Sequence, residues 1–298
     1  MSKVDSVKDR LKNIAVKNKR SMQDMLIAYG LERTIYRLSV SRYADKFTLK
    51  GGIFLYALFD GNYARVTTDI DLLGQDIGNN VSDLEKIFAE IFRINADDPI
   101  IFDIGSLKAE SITEFKKYHG VKITVMGYLD RTKIPVSIDI GFGDVIYPNR
   151  QLIDFPTVLS EEKPRIYCYS VVSSVAEKFE AIVSLAYNNS RFKDFYDIYI
   201  LSLEYDFNGD ELREAVKETF GYRNTSLDDI AAFEETFAVD EVRRARWKAF
   251  VKKKKPLVDV TFEEVMGQVK IFLNPVAESV SYGKSFSLIW DHENKKWK

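Results

Sequence analysis

The sequence is poor in the residues that most often bind metals through sulfur or imidazole. Among its 298 residues, Cys168 is the single cysteine, and His119 and His292 are the only histidines. One cysteine excludes an internal disulfide framework and a thiolate zinc site. Two histidines disfavour an imidazole-rich metal site and leave little for a histidine-based proton relay.

Proline is also scarce, and long apolar runs are missing. Seven prolines and the absence of any low-complexity run argue against long disordered segments, while 46% hydrophobic residues can build real cores. A chain of 298 residues predicts one large or two modest domains. The N-terminal residues have no apolar signal core, and no run approaches membrane-spanning length. We therefore expect a cytoplasmic protein with no membrane partner.

A paired glycine stands before an apolar segment. Lys50, Gly51 and Gly52 precede residues 53–59, which predict a buried helix that begins just after them. Glycine has no Cβ, so its backbone can approach a ligand closely. The free N–H groups of a helix N-terminus attract phosphate. The pattern is typical of a phosphate-binding turn, although a Gly-Gly pair taken alone is more often an ordinary turn.

Three aspartates follow on predicted strands. Residues 66–72 predict a strand on which Asp69 and Asp71 point to one face, because side chains i and i+2 share a face. Asp139 lies in the alternating segment 134–142, opposite its aliphatic side chains. If the two strands are neighbours, the carboxylates converge and can hold Mg²⁺ or Mn²⁺, even as a two-metal site. The alternative is a set of solvated carboxylates on amphipathic strands.

Two later helical patterns carry further charge. Lys178 lies off the apolar stripe of its predicted helix, within reach of a triphosphate. In the next predicted helix, Asp194 and Asp197 are three residues apart and share a face, with Arg191 and Lys193 nearby. An ordinary charged helix face with local ion pairs is the alternative. We favour a functional role for these charged residues because the upstream glycine and aspartate motifs are present in the same chain.

Together, these motifs resemble those of the AbiEii/AbiGii toxin family, the nucleotidyltransferase-like toxins of bacterial toxin–antitoxin and abortive-infection systems, which include the MenT toxins. The resemblance covers about half of the chain. It is carried by residues 50–52, 68–71, 138–140, 177–181 and 191–198. Thr68 stands where the family commonly has serine, so a hydroxyl is kept.

The resemblance implies an α/β (α+β) fold with two lobes. The first lobe would be a nucleotidyltransferase core with a mixed sheet, like that of DNA polymerase β, and the second would be mainly helical. We predict N-terminal helices over residues 1–46 that pack on the core, a core over 47–165, and a helical lobe over 166–298. The first segment would hold two helices, 6–30 and 31–45. The active site would lie in the cleft between the lobes.

The resemblance also implies roles for single residues. Asp69 and Asp71 would be catalytic and would bind Mg²⁺ or Mn²⁺, with Asp139 as a third metal ligand. Lys178 would contact the nucleotide phosphates, and Asp194 would act as a base or organise the site. The residues that would contact the nucleotide are Lys50, Gly51, Gly52, Thr68, Lys178, Arg191 and Lys193.

The implied reaction transfers a nucleoside monophosphate from an NTP to an acceptor hydroxyl and releases pyrophosphate. By resemblance to the MenT toxins, the acceptor would be the 3′ end of tRNA. Growth would then arrest in a toxin–antitoxin or phage-defence system whose antitoxin is encoded nearby. Two alternatives stay open. The acceptor would be a small molecule or a protein hydroxyl, or the chain would bind NTP without transferring it.

Charges are segregated along the chain although the net charge is only −2. Residues 1–20 carry seven Lys/Arg, and residues 241–255 carry eight. These basic segments predict contact with RNA phosphates, where Trp247, Phe250 and Trp297 would stack on bases. The alternative is a solvated basic loop. Residues 204–241 hold twelve Asp/Glu against three Lys/Arg and predict a solvated surface or an antitoxin-facing patch.

Overall fold

The computed structural model describes residues 2–63, 67–114, 118–159, 162–254 and 260–298. The chain divides into two compact units. The first unit comprises Met1–Gly143 and Arg150–Tyr169, and the second comprises Asp144–Asn149 and Ser170–Lys298. The predicted boundary at residue 165 falls inside a strand of the first unit, which therefore extends to Tyr169.

The first unit contains helices and a seven-stranded mixed sheet within the described residues. Its helices are α1 (Lys3–Lys17), α2 (Met22–Ser39), α3 (Gly51–Leu58) and α4 (Val81–Phe92). Its strands are β1 (Phe47–Lys50), β2 (Ile70–Gly74), β3 (Ile100–Glu114), β4 (Tyr118–Leu129), β5 (Thr132–Phe142), β6 (Gln151–Asp154) and β7 (Arg165–Cys168). Their order across the sheet is β3-β4-β5-β2-β1-β7-β6. The sheet is mixed because β2 runs parallel to β5 and antiparallel to β1.

The strands at the centre of this sheet are assembled around buried aliphatic side chains. In β5, Val136, Ile138 and Ile140 are buried, while Ser137 and Asp139 between them are half-buried. This is the period-2 alternation expected of a strand with one apolar and one polar face. The prediction that Asp139 lies opposite the aliphatic side chains is therefore confirmed.

Helices α1 and α2 are separated earlier in the chain than predicted. The Oγ of Ser21 accepts a hydrogen bond from the backbone N–H of Asp24, whose carboxylate accepts one in return, and this capping box starts α2. The prediction of one helix over residues 6–30 is therefore wrong. Gly30 lies inside α2, where a Cβ would come within 2.5 Å of the Cγ2 of Ile134. Glycine at this position lets α2 pack closely on β5.

A buried ionic network fixes α2 to the start of β3. The carboxylate of Asp98 accepts hydrogen bonds from Arg33 at 2.8 Å and from Arg37 at 2.8 and 2.9 Å. Burial alone would raise the pKa of Asp98, but the hydrogen bonds and charges of Arg37 and Arg33 hold that pKa below its ordinary value. The network therefore depends on Asp98 remaining ionised.

The second unit is mainly helical. Its helices are α5 (Val171–Leu185), α6 (Phe192–Glu204), α7 (Gly209–Arg223), α8 (Glu235–Val239), α9 (Glu241–Lys254) and α10 (Phe262–Ser281). A small antiparallel sheet is formed by β8 (Phe207–Asn208), β9 (Ile289–Asp291) and β10 (Lys296–Trp297). The helix α5 begins at Val171 because the Oγ of Ser170 accepts a hydrogen bond from the N–H of Ser173 and so caps it.

Aromatic rings fill the core of the second unit. Trp247 of α9 is only 2% exposed, its Nε1 donates to the carbonyl of Val260 at 2.8 Å, and its ring lies 5.4 Å from that of Phe262. A ring enclosed in this way is not accessible to a base, so the stacking prediction for Trp247 is wrong. The Nε1 of Trp297 donates to the carbonyl of Phe272 at 3.0 Å, and the two rings are parallel.

Among the helices of the described residues, none combines the length with the apolar character that a membrane span requires. Cys168 is buried in β7, and burial raises the pKa of its thiol to about 12. The thiol therefore stays protonated and unreactive at neutral pH.

Candidate functional site

The turn between β1 and α3 brings backbone against a carboxylate. Gly51 has a φ of +65°, and a Cβ built on it would lie 2.0 Å from Oδ2 and 2.6 Å from Cγ of Asp71. The helix starts at Gly51 itself, two residues earlier than predicted, and the side chain of its N-cap residue, Lys50, makes no capping hydrogen bond. Only glycine combines this backbone conformation with this close approach.

Asp69 and Asp71 stand at the start of β2. The strand begins at Ile70, so Asp69 precedes it, and Val66 of the predicted strand lies outside the described residues. The N–H and Oγ1 of Thr68 lie 3.3 and 3.4 Å from the Oδ1 of Asp69. The hydroxyl at position 68 thus helps to orient the first carboxylate.

Three carboxylates meet where β2 and β5 run side by side. Asp71 is the register partner of Asp139. One oxygen from each of Asp69, Asp71 and Asp139 lies within 4.8 Å of the others, and all three side chains are half-buried. Two ligands of one Mg²⁺, each at about 2.1 Å, are at most about 4.2 Å apart. A small change in side-chain position would therefore let the three oxygens bind one Mg²⁺ together.

Lysines flank these carboxylates on the neighbouring strands. Lys122 of β4 is the register partner of Asp139, and Lys50 of β1 is the register partner of Asp71. The Nζ of Lys122 lies 3.1 Å from the Oδ1 of Asp139, and the Nζ of Lys50 lies 5.6 Å from the ring centre of Tyr169. Sequence motifs did not indicate Lys122, because only the β4–β5 register places it there.

In the second unit, Lys178 lies in a buried network. Its Nζ is 2.7 Å from Asp197 and 3.4 Å from Asp194. Lys178 is 7%, Asp194 2% and Asp197 0% exposed. Charged groups are almost never buried to this degree unless they are paired. The lysine and both aspartates of this motif are therefore brought together in one place.

The two cations that flank this motif, Arg191 and Lys193, lie in different surroundings. The Nε of Arg191 donates to the Oδ2 of Asp194 at 2.7 Å, whereas Lys193 is half-buried at the second position of α6. Asp197 was not among the predicted site residues, although it is the nearer carboxylate to Lys178. Its spacing of three residues from Asp194 was the available signal, because such residues share a helix face.

A second charged cluster in this unit surrounds Arg223. Its guanidinium donates to Asp144, Glu177 and Glu180 at 2.8, 3.0 and 2.7 Å. Burial lowers the pKa of Arg223, but the three carboxylates outweigh that effect and raise it. The cluster ties Asp144, at the start of the segment 144–149, to α5, which also carries Lys178. The two glutamates beside Lys178 are thereby given a structural role.

Comparison with known proteins places these motifs in a family. The model of the nucleotidyl transferase AbiEii toxins of type IV toxin–antitoxin systems matches residues 33–268. The chain belongs to this family. The AbiEii match includes the glycine turn, the three carboxylates of the first unit and the Lys178 network of the second. The predicted relationship is therefore confirmed.

Two solved structures from Helicobacter pylori are similar to this AbiEii protein. JHP933 is 13% identical with a TM-score of 0.50, over 88% of this chain and 95% of that one. A protein provisionally assigned as a nucleotidyltransferase is 14% identical with a TM-score of 0.51, over 89% of this chain and all of that one. At this identity the likeness shows the fold alone, and it bears out the predicted α/β class. No curated protein matches the chain.

Proposed function

We propose that this AbiEii protein is a metal-dependent nucleotidyltransferase that transfers a nucleoside monophosphate from an NTP to an acceptor hydroxyl. One observation carries the proposal. Asp69, Asp71 and Asp139 converge on the sheet directly beside the glycine turn of Gly51. A cation site and a phosphate-binding turn in contact with each other are what this reaction requires.

The three carboxylates suit a hard divalent cation. All their donors are oxygens, the preferred ligands of Mg²⁺ and Mn²⁺. The Oδ1 of Asp139 is buried and makes no hydrogen bond to the described residues. Asp69, Asp71 and Asp139 would hold the ion, which when bound supplies Lewis-acid stabilisation of charge at the α-phosphate. Metal dependence is part of this proposal.

The residues around the turn bind the nucleotide. The N-cap residue of α3, Lys50, makes no side-chain capping hydrogen bond, and the first N–H groups of a helix suit the oxygens of a triphosphate. Gly51 and Gly52 admit that approach, and the ammonium of Lys50 adds a positive charge. The Thr68 hydroxyl holds Asp69 in place. An NTP is therefore the proposed substrate.

For the second unit, we propose roles for the residues of its buried network. Lys178 supplies a positive charge for the nucleotide phosphates, and Asp194 orients it or accepts the proton of the acceptor hydroxyl. Arg191 and Lys193 provide further positive charge. Burial of these opposite charges carries a desolvation penalty, so their pairing is better explained by a functional role than by stability.

The acceptor that we propose is the 3′ end of tRNA. Helix α9 presents exposed cationic side chains, which are Arg246, Lys248, Lys252 and Lys253. Such a surface neutralises nucleic-acid phosphates, so binding to RNA should weaken steeply as salt increases. As a toxin of a type IV system, the protein is expected to act with a cognate antitoxin.

The test incubates the purified protein with total bacterial tRNA, Mg²⁺ and each α-³²P-labelled NTP in turn. Asp69→Asn serves as the inactive variant. Asp154→Asn is the matched control, because it removes an exposed carboxylate from β6 of the same unit. We expect label in tRNA with the native protein and the Asp154→Asn control, and none with Asp69→Asn.

The choice of acceptor is tested separately from the chemistry. If label enters protein or a small molecule instead of tRNA, the proposed acceptor is wrong but the proposed transferase activity stands. NTP binding without transfer to any acceptor, under varied metals, would refute the enzymatic proposal and leave a nucleotide-binding protein.

A further inference from the structure

Four charged residues form one row across four adjacent strands. In the order β4, β5, β2 and β1, they are Lys122, Asp139, Asp71 and Lys50, each in register with the next. Register partners on neighbouring strands share a face of the sheet. The carboxylate pair at the centre of the proposed metal site is therefore bordered on both sides by a lysine.

The contact at the β4 end of the row is direct. The Nζ of Lys122 is 3.1 Å from the Oδ1 of Asp139, and the two side chains are 40% and 32% exposed. That oxygen accepts no hydrogen bond from the described residues, so the contact is an ion pair without hydrogen-bond alignment. The ammonium thus stands against one oxygen of a carboxylate that belongs to the proposed metal site.

An ammonium and a divalent cation compete for such an oxygen. Both are positive, and their mutual repulsion at a separation of a few ångströms is appreciable even with water-like screening. A half-exposed ion pair contributes little to folding, so Lys122 is not explained by stability. The main electrostatic effect of Lys122 is therefore repulsion of a cation that approaches Asp139.

We propose that Lys122 sets the affinity of the metal site by competing with the divalent cation for Asp139. This inference rests on the proposed function and adds a residue that opposes metal binding. The positive charge of Lys122 beside Asp139 opposes a divalent cation at the same carboxylate, so the site holds its ion less tightly than it would with a neutral side chain at position 122.

The experiment measures Mn²⁺ binding to the full chain without nucleotide, from the electron paramagnetic resonance signal of free Mn²⁺. The variants are Lys122→Met, Asp139→Asn and the double substitution. Lys133→Met is the matched control, because it removes an exposed lysine from β5 and changes the net charge equally. Lys122→Gln repeats the test if the methionine variant does not fold.

We expect Lys122→Met to bind Mn²⁺ about tenfold more tightly than the native chain, since a nearby positive charge is removed. Lys133→Met should leave affinity unchanged. Asp139→Asn should weaken binding in the Lys122→Met background by a clearly larger factor than in the native background, because there no ammonium competes for the carboxylate of Asp139.

Three outcomes would overturn the inference. Equal affinities of the native and Lys122→Met chains would show that no competition exists. Equal losses from Asp139→Asn in both backgrounds would show that Lys122 does not act through Asp139. If no variant binds Mn²⁺, there is no affinity to set, and the metal dependence of the proposed function fails with it. In the first two cases the metal-dependent transferase stands.

Discussion

The contact between Gly51 and Asp71 allows a quantitative prediction for Gly51→Ala. The new methyl group would lie 2.0 Å from Oδ2, 2.6 Å from Cγ and 2.9 Å from Cβ of Asp71. An ordinary van der Waals contact needs at least 3.4 Å, so the carboxylate oxygen must move away by about 1 Å or more. The alanine would also occupy a left-handed conformation, at a φ of +65°.

Two effects of different size follow from this substitution. The left-handed conformation destabilises a residue with a Cβ by about 1–2 kcal/mol. Misplacement of a reacting group by about 1 Å can reduce the rate about a hundredfold. We therefore expect Gly51→Ala to remain folded, with a modest loss of stability, and to lose about two orders of magnitude in nucleotide transfer.

The assay compares Gly51→Ala with Gly61→Ala. Gly61 has a φ of +80° in the same unit, but its nearest neighbour would be the Tyr56 hydroxyl at 3.2 Å. The control therefore carries similar backbone strain without a carboxylate. Thermal unfolding should show a modest loss for Gly61→Ala and a larger one for Gly51→Ala, whose methyl group also overlaps Asp71. Only Gly51→Ala should lose transfer activity and Mn²⁺ affinity. Equal activity of the two variants would refute the role assigned to the turn.

Further predictions concern the buried charges. Asp98→Asn should lower the free energy of unfolding at pH 7 by about 3 kcal/mol, because Arg33 and Arg37 stay buried without their carboxylate. The folded-state pKa of Asp98 lies below its ordinary value of 3.8. Its stabilisation is therefore present above pH 3.8 and lost as pH falls through the folded-state pKa, so denaturant unfolding should show native and variant converging in acid. Asp197→Asn should destabilise the second unit by a similar amount, about 3 kcal/mol, because Lys178 loses its nearer partner. An unchanged urea midpoint for Asp197→Asn would contradict that pairing.

The polar face of β5 was predictable because strand alternation is a local property. Val136, Ile138 and Ile140 mark the buried face by themselves, and Asp139 must then point the other way. The pairing of β5 with β2, in contrast, is not a local property of either strand. The two strands are far apart in sequence, so their pairing depends on the whole sheet and was only assumed.

The position of Lys122 beside Asp139 is likewise not predictable from the local sequence. Nothing in its own segment distinguishes it from other strand lysines, and only the β4–β5 register brings it opposite Asp139. Register is fixed by the apolar pattern and the turns of the assembled sheet. A charged partner on a neighbouring strand is therefore invisible until the topology is known.

Two predictions are wrong for different reasons. One overlooks a helix cap that the sequence contains, and the other assumes that a residue among basic neighbours is exposed. Ser21 and Asp24 form a capping box that marks the start of α2, yet residues 6–30 were assigned to one helix. Trp247 stands among basic residues in the sequence, but it occupies the buried side of α9. The neighbours of an aromatic residue in sequence do not decide its exposure.

Nucleotide transfer itself is tested most directly by the fate of two labels. The native chain is incubated with Mg²⁺, tRNA and the preferred NTP labelled at either the α- or the γ-phosphate. The proposed reaction predicts α-label in the RNA and γ-label in pyrophosphate, in equal amounts, with both lost in Asp69→Asn. γ-Label in the RNA, or RNA without label from either position, would contradict nucleotide transfer to tRNA.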